Sequence, residues 1–558
     1  PPRPPPLRPP PLPPPPPPPF RIIVHRPDSV RLFAGAFSLA PSNGSAPFGP
    51  AAPPLPGPTG QGPVADAVSL LTRTFTGTAL PLEIFSVAAP NAGAAAGLCA
   101  ALRAANPDVS VCEADARVSI DSPSPTPNDE KYPLQVGERG GGGGGGGGVG
   151  WGGAPLPPPP PPPPQWNLPA VGVPAAWAAS GDMGSKAVRT CIVDTGVDAA
   201  HPDLRANLEL NAREASAPGA DPGLGYANGK DDDGNGIVDD VFGAAFVNGR
   251  RRGRGGRGGK ERARASLRPP PRPPRSLPHP PGQKSGDVTD ENGHGTFVAG
   301  VVGAVGNNGL GVAGINQDAA LVTCKFMDAQ GNGWVSDAIK CWEYCLSRDA
   351  AVISNSWGGV DNSAALQTAA AHAASRGVLL VASAGNGGLD TDIVDHFPSS
   401  LPDAAVVAVA ASTRDGSLWP KSNFGATSVD LAAPGERVLS TGLNGGYVTL
   451  SGTSMATPHV AGAASLLVQA FAAAGWDTAV SPGAVGVGAR VKDLLMATAD
   501  KMPGVAIAGG RLNVAAALRG VPKAPAKAGA PTPVPTTPSG GVVGDGVAFA
   551  GGPGGLPG

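Results

Sequence analysis

Three short segments, far apart in the chain, hold residue types that together could activate a hydroxyl group. They are Cys191-Ile-Val-Asp194-Thr-Gly-Val-Asp198, Asn292-Gly-His294-Gly-Thr-Phe-Val-Ala-Gly300 and Ser451-Gly-Thr-Ser454-Met-Ala-Thr-Pro-His-Val-Ala-Gly462. A serine hydroxyl is a weak nucleophile at neutral pH and needs an imidazole to take its proton. The imidazole needs a carboxylate to fix its tautomer. Each candidate stands beside glycines, which let a backbone crowd a reaction centre. Of the seven histidines, only His294 sits among glycines at a helix start. His372 reads as a packing residue, and His459, five positions past Ser454, would point elsewhere.

These residues need elements to hold them. From Trp166 onward, short apolar runs alternate with helical patterns. The runs predict strands at Val188–Val193, Ala320–Met327, Ala351–Ser356, Val378–Ala384, Ala405–Ala411, Val429–Ala432 and Tyr447–Leu450. Helices are expected at 296–305, 336–348, 364–376, 453–474 and 491–498. Continuous β-branched runs separated by helices imply an α/β fold: a doubly wound, mostly parallel sheet flanked by helices. In such sheets the working groups gather at the carboxyl ends of strands, where Asp194, Ser356, Asn386 and Ser454 fall. Before Trp166, Phe20–His25 reads as a strand and 92–105 as an alanine-rich helix. Val109–Ile120 reads as one alternating strand.

Glycine (83) and proline (68) exceed a quarter of the 558 residues, which marks low-complexity sequence. The expected layout is a proline-rich segment 1–19, a small α+β domain 20–122, a Gly/Pro linker 123–165, a main domain 166–520 and a disordered tail 521–558. Within the main domain, 249–285 is an Arg/Gly/Pro insert. Ten Arg and two Lys there face Glu261 alone, so this stretch carries about +11 and the rest about −13 of the net −2. An acidic body suits cation binding better than nucleic-acid binding. The six cysteines hold no Cys-x-x-Cys pair, which argues against a zinc ribbon and leaves buried thiols and disulfides both open. No apolar run reaches membrane-spanning length.

The three segments resemble the motifs of the subtilisin-like serine proteases, or subtilases. Val193-Asp194-Thr-Gly-Val-Asp198 with His201-Pro-Asp-Leu204 matches the aspartate motif, His294-Gly-Thr-Phe-Val-Ala-Gly300 the histidine motif and Gly452-Thr-Ser454-Met-Ala-Thr-Pro-His-Val-Ala-Gly462 the serine motif. The resemblance implies a subtilisin-like fold with Ser454 as nucleophile, His294 as general base and Asp194 as its orienting carboxylate. Asn386, in Val381-Ala-Ser-Ala-Gly-Asn386, would donate to the oxyanion beside the Ser454 N–H. Ser356, Trp357 and Gly358 would wall the substrate cleft by strand addition, with Trp357 equally readable as core. His396 and Phe397 align near the pocket for the residue preceding the cut bond.

Asp231-Asp-Asp233-Gly-Asn235-Gly-Ile237-Val-Asp239 alternates oxygen side chains around glycines, as a structural Ca²⁺ loop does, with the Ile237 carbonyl as a further ligand. A second Ca²⁺ site, by resemblance, would use Asp203 and Asn308. The segment through Asn106–Val118 resembles a subtilase propeptide, which would inhibit in cis until cut between Asp121 and Gln165. The resulting expectation is a monomeric, secreted or luminal serine endopeptidase acting on proteins or peptides and made as a zymogen. An inactive binding scaffold and a tripeptide-releasing exopeptidase are the rival readings.

Overall fold

A computed structural model describes residues 165–181, 183–215, 228–247, 285–479 and 487–525. It also describes residues 99–100 and 111–121 and strand segments at 21–25, 37–38, 72–76 and 82–88. The proline and glycine tracts, most of the arginine-rich insert and most of the tail lie outside these residues.

The main domain is built on an eight-stranded sheet in which every pairing is parallel. Its spatial order is Gly510–Arg511, Leu431–Pro434, Val406–Ser412, Leu379–Ser383, Ala350–Asn355, Arg189–Asp194, Ala320–Lys325 and Gly243–Ala245. Side chains alternate across a strand, and here both faces are covered. Ile192 and Leu379 face one core with helices 453–473, 487–498 and 514–519. Cys191, Val193 and Leu380 face the other, with helices 335–347 and 364–375. That two-sided burial is why the strands read as unbroken apolar runs. The expected strand at 447–450 does form, but it pairs antiparallel with Val438–Thr441 outside this sheet.

All six cysteines are paired, which settles the open alternative. Cys191 and Cys324 lie on neighbouring strands and bond Cys345 and Cys341, both on helix 335–347, while Cys99 bonds Cys112. The four-residue spacing on the helix puts both sulfurs over the sheet.

The N-terminal strands form a separate sheet, with Arg21–His25 antiparallel to both Leu82–Ala88 and Val111–Ala114. The single strand expected over Val109–Ile120 is two, Val111–Ala114 and Arg117–Ile120. It breaks because Asp115 turns to cap helix 335–347, accepting from the Ser336 N–H at 2.9 Å and from the Ser336 hydroxyl at 2.5 Å. Glu113 likewise accepts from the N–H groups of Ala364 (2.9 Å) and Ala365 (3.2 Å) at the start of helix 364–375. Carboxylates there satisfy orphan donors and complement the helix dipole. After the break, Arg117–Ile120 crosses to the main domain as the middle strand between Asn332–Trp334 and Trp357–Gly358.

Candidate active site

Asp194 ends its strand and His294 opens helix 294–303, which packs along helix 453–473, where Ser454 is the second residue. His294 Nδ1 donates to Asp194 Oδ1 at 2.8 Å, with both side chains almost fully buried. The same carboxylate oxygen accepts from the Thr195 N–H at 2.7 Å. With its proton on Nδ1, the imidazole presents the Nε2 lone pair as an acceptor, and His294 Nε2 is buried without a hydrogen-bond partner. Ser454 Oγ donates instead to the Ser356 carbonyl at 3.0 Å. The structure therefore joins the aspartate to the histidine and leaves the serine–histidine bond open.

Asp290 was not evident from the sequence. It accepts from the N–H groups of Asn292, Gly293 and Thr296 and from the hydroxyls of Thr195 and Thr296, so it fixes the turn that delivers His294. Burial pushes its carboxyl up, but these donors outweigh that and hold it below its ordinary value. Burial pulls the His294 imidazole down. The Asp194 charge and hydrogen bond, with Asp290 and Asp121 further off, overcome that and raise it above its usual 6.5. His459 is a different case: Asn167 and the Met455 carbonyl occupy its nitrogens, and burial drives it to about 4.

Asn386 Oδ1 accepts from the Thr453 N–H at 2.9 Å and the Thr453 hydroxyl at 3.1 Å. That leaves Nδ2 free to donate, and it donates to the carbonyl of Asp121. The Ser454 N–H, expected as a second donor, is not bonded to this carbonyl. The Asp121 N–H reaches the Ser356 carbonyl at 3.4 Å, while Ile120 pairs with Trp357 and Ser119 with Gly358. The expected wall residues thus meet an extended segment through backbone atoms. The Trp357 indole belongs to the core, edge-on to Phe326 with centroids 5.0 Å apart.

The acidic loop is arranged differently from the expected ligand set. Asp231 accepts from the N–H groups of Gly234, Asn235 and Gly236, Asp239 from those of Asn228 and Gly229, and Asn235 from that of Ile237. The carboxylates that converge are Asp233, Glu214 and Asp240, with ligand atoms within 4.8 Å of one another. Burial, with Asp233 and Glu214 nearby, raises Asp240 to about 7 despite hydrogen bonds from Tyr344 and Asn235. Burial also raises Glu214. Uncompensated negative charge on hard oxygen donors is the chemistry a Ca²⁺ ion fits. At the other site, Asp203 accepts from Asn308 Nδ2 (2.7 Å), the Val312 N–H (3.0 Å) and the Tyr447 hydroxyl (3.2 Å). Asn308 Oδ1 accepts from the Leu310 N–H at 2.9 Å.

A doubly covered parallel sheet carrying a buried Asp–His pair at its strand ends, with a serine in the first turn of the adjoining helix, defines a class of serine-type peptidases. The subtilase family model matches residues 185–519, and the chain belongs to that family. Among its relatives are Subtilisin-like protease 1 of Plasmodium vivax, 36% identical over 296 residues, and that of Plasmodium falciparum, 33% identical over 304 residues. Each alignment covers 50% of this chain, and the chain spans only 40% and 37% of the lengths of those two relatives. Subtilisin Savinase of Lederbergia lenta is 41% identical over 189 residues, which is 34% of this chain and 67% of that protein.

Proposed function

We propose that this protein is a serine endopeptidase, made as a zymogen, that hydrolyses peptide bonds through an acyl-enzyme on Ser454. One observation carries the reading. The buried Asp194–His294 pair stands in the same cleft where Asn386 grips the carbonyl of an extended segment. In the proposed cycle, Ser454 Oγ leaves the Ser356 carbonyl, gives its proton to His294 Nε2 and attacks the substrate carbonyl. Asn386 Nδ2 donates to the oxyanion, and His294 then protonates the leaving amine. Site hydrogen bonds that are open at rest and close with substrate are common. The segment 117–121 supplies five residues on the acyl side of the cleft, which favours internal cleavage over tripeptide release.

Labelling with a fluorophosphonate tests the reading: the wild-type chain takes the label and Ser454→Ala does not. Equal labelling of both would refute it. Asn386→Leu, which removes the donor and keeps the volume, should lower kcat by roughly 10²–10³, the magnitude known for a subtilisin. Steady-state kinetics on a chromogenic peptide checks this.

His294 must be neutral to act as base. Its raised pKa therefore predicts a kcat that falls with acid through a value above 6.5, and a pH–rate profile reads it. The linkage to stability has the opposite sense. Protonated His294 favours the folded form, so that contribution is complete below the ordinary value and is lost as pH rises through the raised one.

We also propose that Glu214, Asp233 and Asp240 hold a structural Ca²⁺. An ion bound only by the folded form stabilises it by about 2.7 kcal/mol at a hundredfold excess over Kd. Excess chelator should lower Tm by several degrees. An unchanged melting curve would remove the claim. Three disulfides fit an oxidising compartment, so secretion or a secretory lumen is the proposed setting. Among the described residues no helix is long and apolar enough to cross a membrane. A monomer acting on peptides, with its own N-terminal segment as inhibitor, completes the proposal.

A further inference from the structure

We propose that the chain cuts itself at the bond following Asp121, and that His396 with Ser383 makes the pocket for the residue before the cut bond select an acidic side chain. This rests on the peptidase reading above and names its substrate class.

The Asp121 side chain is buried in the wall beneath Ser356–Gly358. Burying a carboxylate is costly unless its oxygens are met by charge and hydrogen bonds. Both are met: Ser383 Oγ donates to Oδ2 at 2.5 Å, and His396 Nε2 lies 3.3 Å from Oδ1.

The imidazole is a built part of the pocket. A Cβ on Gly358 would sit 2.1 Å from its Cε1, and one on Gly385, at φ +99°, would sit 2.9 Å from its Cδ2. Only glycine at both places admits the ring.

Proton accounting at His396 gives its charge. Ser399 Oγ spends its proton on the His396 carbonyl, 2.6 Å away, so at 3.2 Å it must accept from Nδ1. Nε2 faces a carboxylate and must also donate. Both nitrogens carry hydrogen, and the ring is an imidazolium paired with the aspartate. The Asp121 charge correspondingly raises the ring's pKa against the downward pull of burial.

The backbone sets the position of the cut. The Asp121 carbonyl is the one that Asn386 binds, and the preceding strand is paired on both edges. A Cβ on Gly452 would come within 2.9 Å of that carbonyl oxygen, so the serine motif itself leaves room for it. Of the residues ahead of Asp121, Val118 is buried with the core around Trp357 and Phe326, while Ser119 is exposed. The preferred substrate is thus an extended peptide with an apolar residue three positions before an aspartate.

The test uses the full chain. N-terminal sequencing of the self-processed product should begin at Ser122; a first cut elsewhere overturns the position. Peptides ending Val-Ser-Ile-Asp, -Asn or -Leu before a common leaving group should then be compared. The Asp peptide should exceed the Asn isostere in kcat/KM by on the order of 10², because the amide leaves the buried pocket groups mispaired. Ser383→Ala and His396→Gln should shrink that ratio towards one. Equal rates on all three peptides, or a ratio unmoved in a labelled Ser383→Ala chain, overturn the specificity. Fluorophosphonate labelling separates the two failures: a labelled enzyme without acidic preference refutes only this inference, and a chain that neither labels nor cleaves refutes the peptidase reading as well.

Discussion

Replacing Ser454 by alanine should lower kcat by about 10⁶ and leave KM nearly unchanged, the size of loss measured for a subtilisin serine. The side chain is fully buried, and its hydroxyl makes a hydrogen bond only as donor to Ser356. Deleting the oxygen therefore removes the attacking atom while the backbone pairing of the substrate segment stays. The residual rate should come from the Asn386 donor and from binding, about 10³–10⁴ above water. Because the nucleophile and the base act as one unit, adding His294→Ala should cost little more. A Ser454→Ala chain that retained more than a hundredth of wild-type turnover would place the chemistry on another group.

The second large effect is expected of Asp194→Asn, at about 10⁴ in kcat. Asp194 Oδ1 accepts from both His294 Nδ1 (2.8 Å) and the Thr195 N–H (2.7 Å). Both donors share that one oxygen, so an amide that keeps its oxygen there buries its NH2 at the Oδ2 position, which has no hydrogen-bond partner, and carries no charge for the imidazole. If its nitrogen turns to Nδ1, the imidazole must carry its proton on Nε2, where it can no longer accept one from Ser454. The variant should fold, since the change is isosteric, and its melting curve provides the control. Turnover within tenfold of wild type, at unchanged Tm, would show that the carboxylate does not set the tautomer.

The sheet was legible because both of its faces are buried. Runs such as Val378–Ala384, broken only by Ser383, then mark strands to within a residue or two. The Asp–His pairing was legible because both residues lie in segments that resemble the subtilase motifs. Other features depend on distant partners that spacing does not reveal. Alternation from Val109 to Ile120 gives no sign that Asp115 will leave its strand to cap a helix more than two hundred residues later. In the acidic loop, side chains at alternate positions suit a cation and the loop's own N–H groups equally well. Asp231 and Asp239 accept from those N–H groups, and Glu214, from outside the motif, comes beside Asp233 and Asp240. Alignment brings His396 near the pocket, but spacing does not reveal the Asp121 and Ser383 it meets, which come from two other parts of the chain.

Ala245 and Ser285 bridge each other in antiparallel fashion, with the Ala245 N–H donating to the Ser285 carbonyl at 2.7 Å. The two stems of the arginine-rich excursion are thus clasped at its root, and the clasp does not depend on the connection between them. Shortening the excursion to a tight hairpin, or opening it to make new chain termini, leaves the outermost strand's partners untouched. The molecule carries there a splice point for foreign sequence at the carboxyl end of the sheet, two strands from Asp194, with Ala245 in register with Lys325 and Lys325 with Asp194.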